Sequence, residues 1–191
     1  LFFMTFTAIQ GANSMLEERR AWTLQRLLAS PTPRLTILLG KLIATWVTCV
    51  FQVLLLFIFM TLVGSLIAGE LQLIWGSNLM AILAVIGAAS LAMCGVGAVV
   101  TALARTPEQV NIVGGIIAIV LGLFGGAVFS IQSIPQLAPI SRLTPNFWGT
   151  DAFTKLALGQ SDIGLNLLIL TVIGGVLFVA GLLIFNRRLS A

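Results

Sequence analysis

The sequence contains no histidine and only two cysteines, Cys49 and Cys94. Histidine is the usual general base and the commonest metal ligand, so its absence removes the simplest catalytic and metal sites. Both cysteines fall inside apolar stretches, which favours packed, reduced thiols over a disulfide or a metal site. The sequence also lacks a phosphate-binding loop of the form G-x-x-x-x-G-K-[ST]. We therefore predict that the chain is not an enzyme and does not itself hydrolyse ATP.

Charged residues are also scarce: they make up 8% of the 191 residues, whereas 59% are hydrophobic. Soluble domains are about a quarter charged, so this composition cannot cover a globule with polar surface. We predict an integral membrane protein that lies in the lipid bilayer. The net charge of +4 does not indicate nucleic-acid binding, because most basic residues flank apolar spans, as the positive-inside rule expects.

Long apolar runs predict an all-α, polytopic helix bundle. Residues 1–12 are apolar but shorter than the roughly 20 residues of a spanning helix, and we interpret them as the tail of a truncated transmembrane helix. Residues 13–34 are predicted to form a cytoplasmic amphipathic helix and a Pro turn, and residues 35–191 form the predicted transmembrane bundle. Its spans are expected at about 35–64, 78–104, 109–129 and 163–185. The Pro-rich region 130–162 is predicted to form short helices at the outer membrane face.

The polar interruption between Ser14 and Lys41 is the most distinctive stretch of the sequence. Ser14 and Glu17 fit a capping box, which predicts an amphipathic helix that begins at Ser14 and ends before Pro31. Lipid anchoring alone would favour Lys and Arg, whereas this surface mixes acids with bases. The mixture slightly favours docking to a protein partner. The charged side chains are Glu17, Glu18, Arg19, Arg20 and Arg26.

The distribution of basic residues predicts the orientation of the chain. With the charged helix in the cytoplasm, the other side of the membrane holds only Arg142 and Lys155. This bias predicts a cytoplasmic C-terminus and an outer Pro-rich region. The cytoplasmic set would be Arg19, Arg20, Arg26, Arg34, Lys41, Arg105, Arg187 and Arg188.

The complete spans carry no acid or base near their middle. Ion-coupled transporters and charged-filter channels normally need such groups, so both are disfavoured. A few uncharged polar side chains could contact a transport pathway or form interhelical hydrogen bonds, and for Gln52 the two interpretations stay open. The candidates are Gln52, Asn111, Thr45 and Thr48, with Thr5, Thr7 and Gln10 in the partial span.

Small residues recur at four-residue spacing in two of the spans. This pattern permits close approach of helices, and we favour ordinary bundle packing over a moving interface. The residues are Gly114, Ala118, Gly122 and Gly126 in the third complete span, and Ala84, Ala88 and Ala92 in the second.

The string EERRAWTLQRLLASPTPRLTILLGK, Glu17 to Lys41, resembles the permease subunits of type-2 ABC exporters, a family that includes bacterial drug, antibiotic-resistance and sodium exporters. Trp22 stands where the family commonly has glycine, and Arg20 where an acid is common. A second segment, Leu143 to Phe153, resembles the family's outer segment between its last two spans. The matching pairs in the first string are Thr23-Leu24, Leu27-Leu28, Ser30-Pro31 and Gly40-Lys41.

The resemblance implies six spans per permease, so this chain would lack the first span and most of the second. It also implies that two permeases, identical or homologous, pair with ATP-binding cassette ATPase subunits, which bind the ATP and Mg²⁺, in a bacterial inner membrane. The charged helix would be the coupling helix that rests on the ATPase, with Glu17, Glu18, Arg19, Arg20 and Arg26 as its contact surface.

The complex would move a drug-like, lipid or other amphipathic substrate outward, and the chain itself would bind no cofactor. Two alternatives stay open: a transporter or channel that does not use ATP, and a structural membrane subunit.

Overall fold

The structure, a computed structural model, describes residues 1–20, 33–70, 75–76, 78–126 and 138–190. Within these ranges the chain forms helices and no strands. Four helices are long and apolar enough to cross a membrane, which confirms the predicted all-α polytopic fold class. In chain order the helices are α1 (Phe2–Arg20), α2 (Arg34–Ala68), α3 (Leu79–Leu103), α4 (Pro107–Phe124), α5 (Ala138–Ser141), α6 (Pro145–Ala157) and α7 (Gly164–Ser190).

Local sequence explains where the spanning helices begin and end. Asn78 caps α3 by accepting a hydrogen bond from the Ala81 amide at 3.1 Å. Helix α2 continues past the predicted end at residue 64 to Ala68, because the left-handed residue that ends it is Gly69, with φ of 74°. Helix α4 ends at Phe124 rather than at residue 129. Residues 127–129 of the predicted span and residues 130–137 of the predicted outer region lie outside the described residues.

Helix α1 corrects the prediction that a new helix begins at Ser14. The helix runs unbroken from Phe2 to Arg20, and Ser14 Oγ donates to the Gly11 carbonyl at 2.7 Å instead of capping a helix start. An apolar face continues across the polar residues 13 and 14, with Ala8, Ala12 and Leu16 all buried. Because this face packs against the bundle on both sides of Ser14, tertiary contacts extend the helix through it. Residues 21–32, the rest of the predicted coupling helix, lie outside the described residues.

Helix α3 is the centre of the bundle. In its most apolar stretch 56% of the residues are buried, against 11% in α2 and 22% in α4. Helix α7 packs along α3 at close range: a Cβ on Gly174 would lie 2.7 Å from the Ala92 amide nitrogen. Trp46 of α2 donates its indole N–H to the Gly87 carbonyl of α3 at 3.0 Å. Helices α1 and α7 therefore pack mainly against α3, whereas α4 packs mainly against α1.

The described part of the Pro-rich region forms α5 and α6. Thr144 accepts a hydrogen bond from the Phe147 amide at 3.4 Å, and Pro145 occupies the first turn of α6, where its missing N–H costs nothing. Helix α6 packs against α3 and α7. Short helices therefore occur where they are predicted, while their location at the outer face stays a prediction.

Candidate functional site

The last turn of α1 carries charged side chains that pair within the chain. Glu18 forms an ion pair with Lys41, near the start of α2. Arg20 forms one with Glu108, in the first turn of α4. Glu17 accepts a longer hydrogen bond of 3.5 Å from Asn13 Nδ2. The charged end of α1 is thus joined to two other helices, which the sequence pattern does not reveal.

The two ion pairs differ in their exposure. Both side chains of the Arg20–Glu108 pair are more than half exposed, at 66% and 60%, whereas those of the Glu18–Lys41 pair are at most 34% exposed. An exposed pair contributes at most about 1 kcal/mol, so the Arg20–Glu108 pair adds little to the stability of the fold. The side chain of Arg19, and all of Trp22 and Arg26, lie outside the described residues.

A second polar contact joins α1 to α4, farther from the charged end of α1. Gln10 Nε2 and Asn13 Nδ2 both donate to Asn111 Oδ1, at 3.0 and 3.3 Å. Asn13 is completely buried, and a buried amide needs such a partner because its desolvation is otherwise uncompensated. Of the two interpretations of Asn111, the structure has the interhelical hydrogen bond.

A groove of about 520 Å³ lies between α1 and α2, and we call it the polar groove because six of its nine described lining residues have polar side chains. Hydroxyl groups line it, and each donates to a carbonyl of its own helix, as Thr45 Oγ1 does to Lys41 at 3.0 Å and Thr48 Oγ1 to Ala44 at 2.9 Å. Lipid tails offer no hydrogen bonds, so polar side chains in a groove beside α2, which is long and apolar enough to cross a membrane, suit water or a polar part of a substrate. The polar lining residues are Thr7, Gln10, Ser14, Lys41, Thr45 and Thr48.

Gln52 does not join this groove. It lines a separate cavity of about 440 Å³, whose lining also includes Trp75 and is otherwise largely apolar. Gln52 Oε1 is buried without a hydrogen-bond partner, so the interhelical bond considered for it is not formed by this oxygen. Sequence reasoning thus grouped Gln52 with Thr45 and Thr48, whereas the fold separates them.

The small-residue stripe of α4 faces α1. A Cβ on Gly114 would lie 2.5 Å from Ile9 Cγ2, and one on Gly122 would collide with the Phe2 ring. Ala118 is completely buried. Gly126 lies beyond the end of α4 and lines the same cavity as Gln52. In α3, Ala88 and Ala92 are buried and Ala84 is exposed. The stripe of α4 is a packing surface for α1.

The structure contains a polar network between α6 and α7 that was not predicted from the sequence. The buried amide of Asn166 accepts from Lys155 Nζ at 3.1 Å and donates to Asp151 Oδ2 at 2.8 Å and to the Trp148 carbonyl at 3.0 Å. Lys155 also forms an ion pair with Asp151 at 2.8 Å. The only sequence signal was an asparagine near the start of an apolar span.

No group of three His, Cys, Asp or Glu side chains in the described ranges could hold a metal ion. Neither cavity therefore offers a metal-based reaction centre of that kind. The charged end of α1 and the polar groove are therefore the two candidate functional sites.

Comparison with protein families distinguishes a transport component from a purely structural membrane subunit. The family model described as ABC-2 family transporter protein matches residues 1–183. The chain belongs to the ABC-2 transporter family. Comparisons with curated proteins and with solved structures return no match.

Family membership makes this chain a membrane permease of an ABC transporter, a transport component that is not itself catalytic. Family membership also bears on the ion pairs of Glu18 and Arg20. These pairs join the charged end of α1 to two helices that are long and apolar enough to cross a membrane.

Proposed function

We propose that this ABC-2 permease is the membrane subunit of an exporter in a bacterial inner membrane, driven by ATP hydrolysis in a separate cassette ATPase that binds ATP with Mg²⁺. Two permeases, identical or homologous, would complete the complex. The observation that carries the proposal is the charged end of α1, with Glu18 and Arg20 held against α2 and α4. The excess of basic residues on this side of the spans supports a cytoplasmic position.

The charged end of α1 and the residues that follow it form the proposed ATPase contact, as a coupling helix. Glu17, Glu18, Arg19, Arg20 and Arg26 supply its charges. Internal ion pairs reduce the freedom of Glu18 and Arg20, so less side-chain entropy is lost when a partner binds. Arg20, whose side chain is 66% exposed, presents a positive charge to that partner.

The polar groove between α1 and α2 is the proposed substrate contact. Its hydroxyl groups and Gln10 suit the polar part of an amphipathic substrate, such as a drug-like molecule or a lipid, while apolar side chains on the surrounding helices suit the rest. Among the described residues that line the groove, Lys41 is the only charged one, and it is paired with Glu18. The groove therefore does not require a charged substrate.

Copurification tests the ATPase contact. Reversing Glu17, Glu18, Arg19 and Arg20 together should abolish copurification of the ATPase from native membranes, because four of the five proposed contact charges change sign. The matched control reverses Glu70 and Asp162, which are exposed at the other end of the bundle, and should retain the ATPase. Undiminished association and ATP-dependent transport in the first variant, or flux through the permease alone in proteoliposomes, would refute the proposal.

Transport assays on the reconstituted complex test the groove. Thr45→Val and Thr48→Val together keep side-chain shape but remove two hydroxyls, and should lower the transport rate while the ATPase stays bound. Thr61→Val is the matched control, because Thr61 Oγ1 makes the same kind of bond, to the Phe57 carbonyl at 2.8 Å, outside the groove. Equal transport rates in both variants would exclude a substrate contact at Thr45 and Thr48.

A further inference from the structure

Helices α1 and α4 are joined along most of the length of α4. From the charged end inward, Glu108 pairs with Arg20, and Asn111 accepts hydrogen bonds from Gln10 and Asn13. Further along, Gly114 packs under Ile9, and Gly122 packs under Phe2. These contacts define an α1–α4 seam, with polar contacts near the charged end and close apolar packing beyond it.

The seam resists sliding of one helix along the other. A shift of one turn would withdraw Asn111 Oδ1 from the buried amide of Asn13, which would then lack its interhelical partner. The same shift would move Gly114 away from Ile9 and bring a bulkier residue of α4 into its place. There is no room for that residue, because even a Cβ added to Gly114 would lie 2.5 Å from Ile9 Cγ2. Packed interfaces of this kind move as units rather than deform continuously.

The start of α4 is rigid enough to transmit a displacement. Thr106 Oγ1 accepts from the Gln109 amide at 3.3 Å, and Gln109 Oε1 accepts from the Arg105 amide at 2.8 Å. Pro107 fixes the backbone of the first helical position. A force on Glu108 therefore acts on a capped helix and is transmitted along α4 instead of unwinding its first turn.

We infer that Glu108 and Asn111 are positioning residues for transport: they make α4 follow the charged end of α1 when the ATPase moves it. The inference deepens the proposed function and rests on it. Neither residue is required for the ATPase to bind. Their effect is on how much substrate is moved for each ATP hydrolysed.

The test uses the complete permease–ATPase complex in proteoliposomes and measures substrate transported per ATP hydrolysed. Glu108→Ala combined with Asn111→Leu should lower this ratio by about fivefold, the lower end of typical coupling between sites, with the ATPase still bound. Glu108→Asp and Asn111→Gln keep the polar groups and should restore most of the ratio. Ile112→Ala, at an exposed position of the same helix, is the control and should match the wild type.

A distance measurement on the otherwise unmodified complex keeps the inference testable if the double variant is unstable. Spin labels at Phe3 and Ile116, both exposed, should keep their separation when ATP is added. If the wild-type complex shows no ATP-dependent flux, the proposed function fails. If flux is present but the label distance changes by several ångströms, or the double variant keeps the wild-type ratio, the inference alone is overturned.

Discussion

At Asp151, burial and hydrogen bonding act in opposite directions on one carboxyl group. Burial disfavours the charged form, but hydrogen bonds from Lys155 and Asn166 outweigh it and hold the pKa of Asp151 below its usual range. The carboxylate is thus more stable in the folded protein than in the unfolded chain. Its charge therefore contributes to the attachment of α6 to α7.

This shift predicts a pH dependence of stability. Because the pKa is lower in the folded state, the contribution is present above the ordinary aspartate pKa of about 3.9 and is lost as the pH falls through the lower folded value. Asp151→Asn should therefore flatten the acid side of a plot of unfolding temperature against pH. Asp162→Asn, at an exposed site, is the control and should leave the plot unchanged. An unaltered acid slope in Asp151→Asn would show that the network contributes no such stabilisation.

Single residues were predicted least well by the sequence. Composition indicated that Gln52, Asn111, Thr45 and Thr48 are unusual in apolar spans, but not which of them meet. Thr45 and Thr48 face α1 because of the way α1 and α2 are aligned, and this alignment depends on tertiary packing rather than on local sequence. The same holds for the ion pairs of Glu18 and Arg20, whose partners are distant in the chain.

At the scale of whole elements, the sequence was more informative. Each apolar run long enough to cross a membrane predicted a helix, because unpaired backbone groups are too costly in lipid. The mistake was at α1, where a local capping signal at Ser14 conflicted with an apolar face continuing from Ala8 to Leu16. Packing of that face against the bundle outweighs a cap of about 1 kcal/mol.

Close packing between α3 and α7 yields a prediction for the paired glycines of α7. A Cβ on Gly174 would lie 2.7 Å from the Ala92 amide nitrogen, whereas one on Gly175 would meet nothing within 4 Å. Gly174→Ala should therefore separate the helices and lower the free energy of unfolding by about 1–3 kcal/mol. Gly175→Ala should be neutral or stabilising, since alanine favours helix. Denaturant unfolding of the solubilised protein measures both, and equal stability of the two variants would contradict the observed packing.

At the scale of the whole molecule, the topology is constrained by the four helices in the described ranges that are long and apolar enough to cross a membrane, and by the basic residues between them. Arg105 lies between α3 and α4, at the same end of the bundle as Lys41 and Arg20, because Glu108 pairs with Arg20 in the next turn. An even number of spans connects this end to the end of α7 near Arg187. The positive-inside rule then predicts that these basic groups share the cytoplasm.

Cysteine labelling in spheroplasts tests this topology. Cys49 and Cys94 are completely buried, so their background reaction with a membrane-impermeant maleimide should be low. Glu70→Cys and Ser161→Cys should be labelled from outside, because both exposed positions lie at the opposite end of the bundle. Arg105→Cys and Arg187→Cys should react only after permeabilisation, since both are exposed on the basic side. The reverse pattern would put the charged end of α1 outside the cell, where no ATP-driven partner could reach it. It would thereby remove the basis for the coupling role proposed for Glu18 and Arg20.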